Sequence, residues 1–170
     1  MPHYNLHTVL GASGAVGRAV VDELLGRGLP ARAVSRSIYK SGIATVPADL
    51  LQVEDAHRAI RRSSHVYLCV GLPYAALVWR RDWPLLMRNV INACAANDAR
   101  LIFLDNVYMY GPAPLQQPFD ESHPQQPESE KGKARKATLD LLKSAMDKGT
   151  VQAVIGRAAD FYGPYATNSM

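Results

Sequence analysis

Three glycines, Gly11, Gly14 and Gly17, stand three residues apart in the stretch VLGASGAVGRAVV. This spacing suits the handling of phosphate. Gly11 permits a tight turn at a strand end, and Gly14 lets the backbone approach a bound anion. Gly17 lets the following helix pack closely on the strand. The start of that helix offers unpaired N–H groups and the positive end of its dipole. Ser13, Ala15 and Val16 complete the turn, so residues 11–17 are the expected seat of a dinucleotide's pyrophosphate. The Gly-Lys-Ser/Thr ending of a P-loop does not follow.

The end of the second strand discriminates between cofactors. An acid there would bind a ribose 2′-hydroxyl and favour NAD. This chain has VSRS instead, with Ser35, Arg36 and Ser37 at that place. Arg36 can hold a 2′-phosphate through charge-assisted hydrogen bonds, so NADP is the expected cofactor and NAD the alternative. Asp49 and Leu50 follow the third strand where the adenine would rest. Val70 and Gly71, in CVGLP, would line the nicotinamide-ribose side.

Those residues need a framework of alternating strands and helices, and the hydrophobic pattern supplies one. HTVLGA reads as the first strand and GAVGRAVVDELLGRG as a helix, with Val16, Val20 and Leu24 as its apolar stripe. PARAVSRS and ATVPADL read as the second and third strands, and VEDAHRAIRRS as a helix. SHVYLCVGLP reads as a fourth strand, apolar enough to be covered on both faces. A helix is expected from Asp82, with Pro84 in its first turn, and then a fifth strand, ARLIFLDN. Residues 111–133 carry Pro112, Pro114, Pro118, Pro124 and Pro127 and read as a long loop. A helix over about 134–148 and a sixth strand, VQAVIGR, complete the pattern. The expected fold is α/β: a doubly wound parallel sheet, the three-layer Rossmann fold, in one domain over residues 1–170.

The bulk properties of the 170 residues narrow the function. With 48% apolar and 20% charged residues the chain is an ordinary globular one, and its net charge of +4 is spread without a dense basic tract. Nucleic-acid binding is not expected. No leader pattern opens the chain and no apolar run is long enough to span a bilayer, so a cytoplasmic protein without membrane association is expected. Cys69 and Cys94 read as free buried thiols. The histidines, His3, His7, His57, His65 and His123, form no ligand pattern, so no metal is expected.

The segments GASGAVGR, ADL, NVINACAA, VYMYGP and GRAADFYGP, in this order, resemble an extended short-chain dehydrogenase/reductase of the NAD-dependent epimerase/dehydratase family. The likeness covers essentially the whole chain. It implies an enzyme that passes a hydride between nicotinamide and a carbonyl or hydroxyl carbon of a small molecule. It also implies a C-terminal substrate domain, most of which would lie beyond Met170, so the chain is expected to be the nucleotide-binding part of a longer protein or a shortened member. Family dimers often pair the helices after the third and fifth strands, which leaves a homodimer open.

The family uses a Ser, a Tyr and a Lys, the Tyr being the acid/base at the substrate oxygen. By resemblance Asn106 takes the serine's place, preceded by Asp105, and its amide can still donate a hydrogen bond. The YxxxK pattern is absent from ESEKGKARKATLDLL. The best register puts Lys131 at the tyrosine and Arg135 at the lysine, with Lys133 and Lys136 as neighbours. Tyr108, two residues after Asn106, is the other candidate for the proton. Tyr110 is expected to be structural, and so is Arg157. Leu104, Asp160, Phe161 and Tyr162 are expected beside the nicotinamide, with Tyr165 a further tyrosine of that region. Two readings remain: an NADP-dependent oxidoreductase or epimerase working through Asn106 with Tyr108 or Lys131, or a non-catalytic NADP-binding redox sensor.

Overall fold

The computed structural model describes residues 5–36, 42–160, 162–164 and 166. Its strands are β1 (His7–Leu10), β2 (Ala31–Ser35), β3 (Ala44–Pro47), β4 (His65–Leu68), β5 (Arg100–Asp105) and β6 (Ala153–Arg157). Its helices are α1 (Ala15–Gly26), α2 (Val53–Ile60), α3 (Ala76–Ala95) and α4 (Glu130–Asp147). All strand pairs are parallel, in the order β3-β2-β1-β4-β5-β6. The order reverses between β1 and β4, and such a switch point opens a crevice at the carboxyl ends of the strands. This is the Rossmann-like fold expected from the alternation of apolar runs and amphipathic stretches.

The main core lies on one face, where Leu10, Val66, Leu68, Leu101 and Phe103 of the sheet meet α2, α3 and α4. On the other face Val9 and Ala33 pack against Val21 and Leu24 of α1. The stripe of α1 is thus centred on Gly17, Val21 and Leu24, while Val16 and Val20 are only half-buried. The fourth strand is not covered on both faces as its composition suggests. Val66 and Leu68 are buried but His65 and Tyr67 are half-buried, and in register beyond them Val154 is 55% exposed.

Two helices begin earlier than expected. The third starts at Ala76 rather than Asp82, which places Pro84 inside it. Pro84 has no N–H to give the carbonyl of Arg80, and that residue lies exposed. The stripe Trp79, Trp83, Leu86, Met87 and Val90 is buried, and its burial outweighs the missing bond. The fourth starts at Glu130, where the Ser129 hydroxyl accepts from the Gly132 N–H at 3.0 Å. That cap brings Lys131 out of the expected loop and into a first helical turn.

The glycine turn is a packing requirement as well as a candidate site. Gly11 has φ +80°, and a Cβ on Gly17 would stand 2.2 Å from the Gly11 carbonyl oxygen. Gly17→Ala should therefore lower the unfolding free energy by about 1–3 kcal/mol in urea denaturation. An unchanged midpoint would contradict this packing.

Candidate functional site

A cleft of about 250 Å³ opens at the carboxyl edge of the sheet. Four strand ends contribute to its wall. Gly11, Ser13 and Gly14 follow β1, Arg36 follows β2, Asp49 and Leu50 follow β3, and Val70 and Gly71 follow β4. Every one of these is a residue that the sequence marks for the cofactor. Ala15 and Val16 are half-buried in the first turn of α1, and Gly17 packs behind the turn. Leu104 is half-buried on β5 and outside the cleft wall, because it alternates with Phe103 and Asp105 onto the opposite face of the strand. Tyr162 is 96% exposed and also lies apart from the cleft wall. Neither takes the expected place beside the cleft. Ser37, Phe161 and Tyr165 fall outside the described residues, as does His3. The apolar wall from Ala48, Leu51, Leu72 and Leu86 has no counterpart in the sequence reading, Leu86 coming from α3 across the fold.

The residues present fit a dinucleotide phosphate. Gly14 caps α1 without any side-chain hydrogen bond to the helix, and no acidic residue occupies the first turn. The first N–H groups of the helix thus have no partner within it. A Cβ on Gly14 would meet only the Gly11 oxygen, at 3.4 Å, so the surface there is open to a ligand. Asp49 is partly committed to its own turn: one carboxylate oxygen accepts from the Leu51 N–H at 3.1 Å. The Cys69 thiol beside the cleft is pushed up to about 12 by burial and is a poor nucleophile.

At the end of β5 lies a charged cluster that the sequence shows only as an unexpected aspartate. Asp105 is 2% exposed and Arg135 3% exposed. Arg135 Nε donates to Asp105 Oδ1 at 2.5 Å, and its other arm donates to the Leu104 carbonyl at 2.9 Å. Arg157, facing Asp105 in register, stands 3.5 Å from Oδ2 and donates to the Tyr110 hydroxyl at 2.9 Å. The guanidinium of Arg135 also lies over Trp83 and Phe103, at 4.2 and 4.7 Å. Arg135 therefore sits inside the core rather than at the cleft, so the residue registered with the family lysine is committed to an ion pair. Tyr110 and Arg157 are structural partners of one another.

A second cluster gathers beside the cleft, and it contains a residue to which the sequence reading gives no role. Tyr74 lies two residues beyond Leu72 of the cleft wall, in the loop before α3. Its hydroxyl shares a 3.2 Å hydrogen bond with that of Tyr108, and the Lys131 ammonium lies 2.9 Å from the centre of its ring. Tyr108 stacks on Trp79 at 5.8 Å, and Trp79 meets Trp83 edge to face. Tyr108 and Lys131 thus come together as the sequence candidates for the proton, with Tyr74 between them. The Asn106 Oδ1 accepts from the Tyr108 N–H at 3.1 Å, closing the turn that leaves β5. The two phenols are unequal. The 3.2 Å hydrogen bond with Tyr108, then the Lys131 ammonium over its ring, hold Tyr74 below its ordinary value. Giving that hydrogen bond to Tyr74, together with burial and the nearby Tyr74 and Asp160 charges, pushes Tyr108 up to about 12. Tyr74 escapes the sequence reading because a helix start at Asp82 leaves residues 74–81 without a role. The spacing of Trp79, Trp83, Leu86 and Val90 is the signal that extends the helix back towards it.

Residues 7–170 match the NAD dependent epimerase/dehydratase family, and the chain belongs to that family. No curated protein matches the sequence. Among solved structures, a short-chain dehydrogenase/reductase superfamily protein from Agrobacterium tumefaciens with bound NAD is 26% identical, with a TM-score of 0.80, over 89% of this chain and 48% of that one. The Bordetella bronchiseptica enzyme WbmH in complex with NAD+ has a TM-score of 0.83 at 19% identity, over 97% of this chain and 59% of its own. UDP-glucose 4-epimerase from Thermus thermophilus in complex with NAD has a TM-score of 0.75 at 21% identity, over 95% and 58%. The chain thus spans about half to three-fifths of the length of these structures. Among the described residues no helix is long and apolar enough to cross a membrane.

Asp105 pairs with the buried Arg135 and lies 3.5 Å from the half-buried Arg157, so its removal strands the Arg135 guanidinium in the core. Asp105→Ala should cost about 3–5 kcal/mol in unfolding free energy. The exposed pair Arg27–Glu23, cut by Glu23→Ala, should cost less than about 1 kcal/mol. Equal losses for the two variants would rule out the keystone role of Asp105.

Proposed function

We propose that this chain binds a nicotinamide dinucleotide in the cleft at the β1/β4 switch point and serves an oxidoreductase or epimerase/dehydratase-type reaction at a carbonyl or hydroxyl carbon. The observation that carries the reading is the N-terminus of α1, without a side-chain cap or an acid in its first turn, behind an open glycine turn at the mouth of a cleft walled by four strand ends. Residues 11–17 would hold the pyrophosphate. Leu50 and the apolar wall around it would take the adenine, and Val70 with Gly71 the nicotinamide ribose. When bound, the nicotinamide supplies hydride transfer, and the protein supplies orientation and the proton. Asn106, Tyr108 and Lys131, gathered about the end of β5, would handle that proton. The similar solved structures from three bacteria carry NAD, which supports the nicotinamide class.

The 2′-position favours NADP on the side of this chain's own residues. Arg36 is exposed on the cleft wall and no acid stands at the end of β2. A second reading, a non-catalytic nucleotide-binding module, draws on one observation: Arg135, where the family lysine would stand, is locked on Asp105.

Titration with NADPH and NADH, followed by nicotinamide fluorescence, checks the binding claim. Both should bind, NADPH more tightly, and binding of neither would sink the reading. Arg36→Ala should weaken NADPH by roughly 10- to 100-fold while leaving NADH unmoved. An unchanged ratio would remove Arg36 from the site. Turnover against a panel of aldehydes, ketones and sugar nucleotides separates the two readings, the module being favoured by binding without turnover.

A further inference from the structure

We propose that Tyr74, from the loop between β4 and α3, is the acid/base residue of this site, with Tyr108 donating a hydrogen bond to its oxygen and Lys131 supporting its anion from α4. The inference rests on the functional reading above and deepens it. The tyrosine absent from the start of α4 is supplied by another element, at the same cleft edge.

Four features of the geometry point to Tyr74 rather than to Tyr108 or Lys131. Tyr74 is 68% exposed, so a substrate oxygen can reach its hydroxyl, and it follows the Val70–Leu72 wall by two residues. Tyr108 is held from three sides: its ring stacks on Trp79, its N–H is committed to Asn106, and its hydroxyl faces Tyr74. It is a fixed donor. Lys131 is placed over Tyr74 by a helix start that has no slack. Ser129 caps the first turn, and a Cβ on Gly132 would stand 2.4 Å from the Tyr108 carbonyl oxygen. The turn therefore packs directly on the segment that carries Tyr108. Lastly, a phenol with a neutral donor on its oxygen and a cation beside its ring has its anion stabilised and its neutral form unfavoured. The direction of the Tyr74 shift agrees.

In the reductive direction a bound reduced dinucleotide would supply the hydride pair for a new C–H bond at the carbonyl carbon of the substrate. The C=O π pair moves to oxygen, and that oxygen takes the Tyr74 proton. The two electrons would come from the dinucleotide, which would be left oxidised, and the Tyr74 phenolate recovers its proton from solvent. Oxidation runs the same steps backwards, with the Tyr74 phenolate accepting the alcohol proton. Oxidation should therefore rise with pH through the Tyr74 ionisation and reduction should fall. Removing the Lys131 charge should move both limbs to higher pH.

The test needs no substrate for its first part. Ultraviolet difference titration of the 170-residue chain should show one phenol ionising below the ordinary tyrosine value of about 10. Tyr74→Phe should abolish that early step, and Lys131→Gln should move it upward. Tyr74→Phe should still bind NADPH and NADH with wild-type affinity, since its hydroxyl touches no cleft-wall residue proposed to hold the dinucleotide. With a turned-over substrate, Tyr74→Phe should lower kcat roughly 100- to 10,000-fold with KM little changed. An early phenol that survives Tyr74→Phe, or turnover that survives it, overturns the assignment, as does an absent early phenol. Binding of neither nucleotide to the wild type would bring down the functional reading, while the phenol titration would still report on the Tyr74 environment. Nucleotide binding without turnover of any panel compound would overturn the catalytic assignment alone.

Discussion

The buried carboxylate of Asp105 is the constraint on which the carboxyl edge of this sheet depends. A charge removed from water at a strand end is tolerable only when countercharges and hydrogen bonds replace the lost hydration. Arg135 reaches it from α4 and Arg157 from β6, so one carboxylate joins two strands and a helix. Because Arg135 also binds the Leu104 carbonyl and lies over Trp83 and Phe103, α4 has little freedom to rotate or slide. Its first turn is then set against Tyr108 and Tyr74 by the Ser129 cap and the bare Cα of Gly132.

The same interaction decides which side chains remain free for chemistry. The guanidinium registered with the family's lysine is occupied in holding the fold together, and the Asn106 side-chain oxygen in turning the chain out of β5. What is left at the edge is a ladder of rings. Phe103, Trp83 and Trp79 carry the rigidity of the core outward to Tyr108 and Tyr74, where the aromatic packing ends and solvent begins. Lys131 adds its charge at that boundary. A rigid ring stack with a charged, exposed end is a suitable way to hold a polar group in place without burying it.

Most of the framework is legible in the sequence, for local reasons. Strands and crossover helices follow from the switching between short apolar runs and 3.6-residue periodicity, and the glycine turn from residues that only backbone geometry explains. The cleft residues Gly11, Gly14, Arg36, Asp49 and Gly71 are legible because each follows a strand, and strand ends in a parallel sheet share one edge. The start of α3 is not, since the local rule for proline in a first turn competes at Pro84 with the apolar stripe from Trp79 onward, and tertiary burial decides the contest. Leu104 and Tyr162 take their expected places from resemblance alone, whereas pleat alternation turns the first away from the cleft and the second stands in solvent.

The sequence by itself determined the fold class, the glycine turn after the first strand and the absence of a YxxxK pattern. These depend on periodicity, on glycine spacing and on the identity of residues within one short segment. Only the tertiary structure decided that Asp105 pairs with residues 30 and 52 positions away, and that Tyr74 meets Tyr108 and Lys131 across gaps of 34 and 57 positions. No local pattern encodes such meetings. They arise because the parallel sheet brings distant strand ends to one edge, and because a buried charge and a closely packed helix start leave those side chains no other place.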